Sequence, residues 1–144
     1  MKIKVFASVI ASVLLLASCS SKNQHLGTWV SRDDRGNELQ LVFHEDSTMK
    51  LSSAGNVIIS DEPTFIETGE KIEIKAKLDQ DKTPMDLDFV MYVNGKSDES
   101  RSMRCLLNIK SDDEMEFQIE RNSSVRPAKI DTSSPGYQLF KRVK

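Results

Sequence analysis

The chain has little of what most often carries chemistry. Its 144 residues include two cysteines, two histidines and one tryptophan. Two cysteines cannot build a disulfide scaffold. No Cys-x-x-Cys, His-x-His or His-Glu-x-x-His spacing occurs, so no preformed zinc site is expected. No serine stands in a Gly-x-Ser-x-Gly elbow. Positive charge is not in excess: 20 Lys and Arg face 22 Asp and Glu, which argues against nucleic acid as a partner, because backbone binding needs clustered cations. Beyond residue 17 no apolar run approaches the roughly 20 residues of a membrane-spanning helix. No later window carries a sustained 3.6-residue apolar stripe either, so any helix is short.

What is there begins with the leader. Lys2 and Lys4 precede an apolar run over residues 5–17, broken only by Ser8 and Ser12. A basic start, a brief apolar stretch and small residues before a cut describe a secretory signal. The run ends in Leu16-Ala17-Ser18-Cys19, which resembles the lipobox of bacterial lipoproteins. The resemblance implies that residues 1–18 are removed and that Cys19 becomes the acylated first residue, palmitate being a typical acyl chain. Several chains on one residue anchor firmly, at about 0.8 kcal/mol for each buried CH₂. Ser20 and Ser21 follow in place of Asp, which in the resembling Gram-negative proteins implies the outer membrane, with the domain facing the periplasm. Residues 19–25 then read as a lipidated tether and 26–144 as one domain. Losing Lys2 and Lys4 leaves 18 basic against 22 acidic side chains, a formal charge near −4.

Period-two alternation runs through the remainder. It appears in Leu39, Leu41 and Phe43; in Met49 and Leu51; in Ile72, Ile74, Ala76 and Leu78; in Met85, Leu87, Phe89, Met91 and Val93; and in Met115, Phe117 and Ile119. These are half-buried strands with one wet face. Arg35-Gly36-Asn37, Asn94-Gly95 and residues 111–114 carry turn chemistry between them. Residues 96–101 read as a flexible polar loop. Eight or nine short-linked strands predict an all-β, antiparallel, up-and-down barrel, since closure removes sheet edges; an open sandwich is the other arrangement. Cys105 shares a strand face with Met103, Leu107 and Ile109, so it is expected buried and unpaired.

Acidic clusters occur at Asp33-Asp34, Asp79-Asp81, Asp86-Asp88 and Asp112-Asp113-Glu114. Oxygen ligands suit Ca²⁺, but the EF-hand order is absent and three of the clusters fall at turns where Asp is favoured anyway. No metal or other cofactor is expected. Asp86 and Asp88 differ, because they share the wet face of one strand and call for a cross-strand Lys or Arg. Both histidines read as solvent-exposed.

Gly27-Thr28-Trp29 near the start and Arg142 near the end resemble the lipocalin arrangement, in which Trp closes the barrel bottom and Arg lies across the indole. The order Thr83-Pro84 with Asp88, Cys105-Leu106, Arg126-Pro127 and Arg142 is similar to a family of small lipocalin-like bacterial lipoprotein domains that has no assigned activity. The resemblance spans most of residues 26–143 and implies the fold and export. It departs over residues 96–102, which are serine-rich and charged. Gly27, Trp29 and Arg142 are therefore the expected barrel closure. Inward positions Phe43, Ile74, Phe89, Met91, Met103, Leu107 and Phe117 are the expected lining of any ligand pocket. The expected function is non-enzymatic: a membrane-anchored lipoprotein acting by protein interaction on a packed barrel. The alternative is a carrier or sensor for an apolar or amphipathic small molecule inside the barrel.

Overall fold

Alternating side chains leave one apolar face on most of the strands, and one curled sheet buries those faces together. The computed structural model describes residues 23–60, 64–65 and 68–144; the expected signal over 1–18 and the expected acylation site Cys19 lie outside the described residues. The strands are β1 (Gly27–Arg32), β2 (Glu38–Phe43), β3 (Met49–Ser53), β4 (Asn56–Ile59), β5 (Thr64–Phe65), β6 (Lys71–Asp79), β7 (Met85–Val93), β8 (Lys96–Ile109), β9 (Glu114–Ile119) and β10 (Tyr137–Arg142). No α-helix occurs among the described residues.

One antiparallel sheet holds all ten, in the order β4-β3-β2-β1-β10-β9-β8-β7-β6-β5. Each neighbour is the next strand in sequence except at the β1–β10 seam. The chain therefore winds up and down around a small, nearly closed barrel, with β4 and β5 as the two ends of the sheet. The single sheet rules out the sandwich. The count exceeds the expected eight or nine because β5 is a two-residue bridge, too short to show alternation.

Residues 96–101 correct the expectation of a loop. They open β8, paired to β7 across Asn94 and Gly95, whose φ angles of 49° and 81° suit a two-residue hairpin turn. The register jumps between Phe89↔Met103 and Met91↔Asp98. Buried Ser102 spans the irregularity: its hydroxyl accepts from the Met91 N–H (3.2 Å) and donates to the Asp98 carbonyl (2.8 Å). A polar, serine-rich stretch is thus a strand because its exposed half needs no apolar residues and its one buried hydroxyl is satisfied.

The interior is filled around Trp29, Leu41, Leu87, Leu107, Met115 and Phe140, none more than 2% exposed. Phe140 sets the phase of β10, turning Gln138 and Arg142 to the same side and Tyr137 and Leu139 outward. The 17-residue connection from β9 to β10 straps the outer face. Beneath it Gln118 donates to the Ser134 hydroxyl (2.9 Å) and accepts from the Asp131 N–H (3.1 Å). Arg126, from the same strap, meets the carboxylates of β7: it donates to Asp88 (2.6 Å), lies 3.4 Å from Asp86, and donates to the Cys105 carbonyl (2.9 Å). Arg104, the cross-strand partner of Asp88, pairs with both Asp88 and Glu99. Lys82 lies 2.5 Å from Asp86. The two like charges are thereby neutralised by Arg104 from the next strand, Arg126 from a distant loop and Lys82 from the turn before β7, and the strap is pinned by charged hydrogen bonds.

Candidate functional site

Strand directions place the start of β1, the ends of β2, β6, β8 and β10, and the starts of β3, β7 and β9 at one end of the barrel. Two features share that end. The first is a clasp. Trp29 stands opposite Arg142 across the β1–β10 seam, and the guanidinium carbon lies 4.1 Å from the indole centroid. This is cation–π geometry. The same guanidinium donates to the carbonyls of Leu26 and Asp112, each at 2.5 Å, and to that of Gln24. Gly27 makes room for it: a Cβ there would sit 3.0 Å from Arg142 Nη1, on a backbone of φ +111°. The indole N–H is satisfied by the carbonyl of His25 at 2.7 Å. Residues 24–26 are thus held against the barrel end by one arginine and one tryptophan.

The second feature is a cavity of about 430 Å³ beside this clasp. Its apolar part is Leu26, Phe43, Met49, Ala76, Leu78 and Leu87, and its polar part includes Asn23, His44, Glu45, Thr48 and Gln80. The volume falls in the range of small-molecule sites, roughly 300–1,000 Å³. Opposite walls come from the β2–β3 hairpin and from β6–β7, which approach each other only in the closed sheet. His25 corrects an expectation: it is buried, with its ring edge-on to Phe43 at 5.4 Å between centroids. Burial lowers its pKa, so the ring is neutral at neutral pH. His44 is exposed on the β2–β3 turn. Asp46 in that turn accepts the Thr48 hydroxyl (2.5 Å) and N–H (3.0 Å), which hold its carboxyl below the usual carboxylate range.

Of the seven residues expected to line a pocket, Phe43 lines this cavity. Leu107 lines a smaller one of about 150 Å³ next to Thr83 and Pro84. Phe89 and Leu107 belong to the buried core, against which Ile74, Met103 and Phe117 pack. Met91 is only partly buried. The interior positions are therefore mostly filled, and the free space lies at the end of the barrel. Asn23 and Gln80 also line the cavity and lie outside the alternating apolar runs, so nothing local distinguishes them. A small inward residue in an otherwise bulky strand, Ala76 between Ile74 and Leu78, is the one signal that could have marked the space.

Cys105 is buried and free. Burial, with a smaller contribution from Asp88, pushes its thiol up to about 12, so no thiolate forms at neutral pH. We expect no reaction with a thiol reagent in the native protein and complete reaction on unfolding, read by intact mass. Cys105→Ala should cost about 1–2 kcal/mol in denaturant unfolding, from lost packing.

The fold and site define a small antiparallel barrel whose free volume lies at a clasped end. No protein-family model, curated protein or solved structure matches the chain. The likeness to lipocalin-like lipoproteins therefore rests on the residues quoted above.

Proposed function

We propose that this chain is a non-enzymatic lipoprotein, anchored through Cys19 in the bacterial outer membrane and facing the periplasm, which binds an amphipathic small molecule in the barrel-end cavity. The single supporting observation is that cavity: about 430 Å³, with an apolar floor and a polar rim. A non-enzymatic role is supported by chemistry. The thiol of Cys105 is held un-ionised, His25 packs on Phe43, and the carboxylates of β7 are spent on arginine and lysine partners.

Trp29 is the only tryptophan, and its indole bonds to a residue of the cavity wall, so energy transfer to a dansyl-labelled lysophosphatidylcholine reports occupancy. In mature protein on vesicles, Ala76→Phe should weaken the transfer-detected affinity at least tenfold, about 1.4 kcal/mol, while outward Lys77→Phe leaves it unchanged. Equal binding by the Ala76→Phe variant refutes the site. A second reading, protein interaction on the barrel surface, is favoured by β4. This strand ends the sheet with Val57 and Ile58 51% and 54% exposed, an edge suited to strand addition by an extended peptide.

A further inference from the structure

We infer that the barrel stands with its clasped end on the membrane, so that the cavity draws its ligand from that membrane, and that the ligand is a single-chain amphiphile with a zwitterionic head. This rests on the reading of Cys19 as the anchor and of the cavity as the binding site.

The distance argument comes first. Asn23 lines the cavity, and four residue steps separate it from Cys19. At most about 3.3–3.6 Å per residue puts the acylated residue within roughly 14 Å of the cavity wall. A longer tether would let the barrel tumble. Here the chain is fixed from residue 24 onward, because Arg142 holds the carbonyls of Gln24 and Leu26 and Trp29 holds that of His25. The opposite end, with the Asn94-Gly95 turn, is then directed away from the bilayer.

Charge selects the head group. No Lys or Arg lines the cavity, whereas Glu45 does. Asp46 is next to it in the turn, and Asp79 and Asp81 flank Gln80 on the facing wall. Among these, Asp79 has Lys82 at 3.6 Å. An anionic head would meet uncompensated carboxylates, while the cationic part of a zwitterion is attracted to them. The apolar wall takes one chain. The core behind it is filled by Trp29, Leu41 and Met115, and the separate space beside Leu107 is only about 150 Å³, below the size of an ordinary ligand site.

The test uses mature, lipidated protein in phosphatidylcholine vesicles that carry a head-group spin label. A bimane fluorophore is placed on Glu45→Cys at the cavity end or on Lys96→Cys at the far end; Cys105 is buried and Cys19 acylated, so neither competes for it. Quenching at position 45 should exceed that at position 96 at least threefold. An insert of roughly twenty Gly/Ser residues between Lys22 and Asn23, spanning about 25 Å on average, should abolish the difference. Equal or reversed quenching without the insert overturns the orientation, whatever the cavity binds. For the ligand, Ala76-sensitive energy transfer from Trp29 should be at least tenfold tighter for dansyl-lysophosphatidylcholine than for a dansyl fatty acid. Equal affinity for the two overturns the head-group assignment and leaves the cavity reading standing. Absence of any Ala76-sensitive signal with either probe overturns both.

Discussion

Trp29→Ala should lower the unfolding free energy by about 3–5 kcal/mol, the usual cost of truncating a buried indole. The residue is fully buried at the seam where the first and last strands meet, so its loss opens a cavity at the closure itself. Arg142→Ala should cost about 2 kcal/mol: it removes a cation–π contact of about 1–2 kcal/mol and uncaps three carbonyls that sit near enough to the surface to find water. The pair is coupled. Without the indole the guanidinium loses its platform, so the double variant should be less destabilised than the sum of the singles by about 1 kcal/mol. Urea unfolding of the three variants measures this. Coupling near zero shows that the stacking at 4.1 Å contributes nothing to closure.

Gly136→Ala should cost about 3 kcal/mol or more, beyond the 1–3 kcal/mol typical of overpacking. A Cβ at this position would lie 1.8 Å from the carbonyl oxygen of Ile119 and 2.9 Å from its carbon. Both are backbone atoms, so no rotamer change relieves the clash. The two residues also bond to each other, Ile119 N–H to Gly136 carbonyl at 3.0 Å, which means that moving them apart unzips the start of β10 from β9. Gly55 supplies the contrast. Its φ of +80° disfavours a side chain, but nothing lies within 4 Å of the added atom. Gly55→Ala should therefore cost only about 1–2 kcal/mol, the left-handed penalty alone. Equal losses for the two variants in the same unfolding assay refute the contact argument for Gly136.

Both residues show how legibility depends on range. Trp29 could be singled out because Gly27-Thr28-Trp29, with Arg142 near the end, resembles the lipocalin arrangement. Gly136 could not, since its neighbour is 17 positions away and the residue has no unusual φ to mark it. The phase of residues 137–143 divides in the same way. Tyr137, Leu139 and Val143 alternate as well as Phe140 does with its neighbours, and only pairing with β1 and β9 turns Phe140 and Arg142 inward. His25 looked exposed because it precedes the first strand, and it is buried because the clasp folds residues 24–26 over the barrel end. The requirement for cations opposite Asp86 and Asp88 was readable from two like charges on one strand face. That the cations are Arg104, Arg126 and Lys82 was decided by register and by a strap from a remote loop.

By itself the sequence determined the all-β class, most of the strands, the inward set of apolar residues and the burial of Cys105. All of these follow from a period of two, which is a property of neighbouring residues. Tertiary structure alone decided that β1 meets β10, which of the two expected interiors, packed or open, the barrel has, and that the free volume lies at the clasped end. Those outcomes depend on which side chains from distant strands share a layer, and on how a closed sheet brings the β2–β3 hairpin within reach of β6–β7.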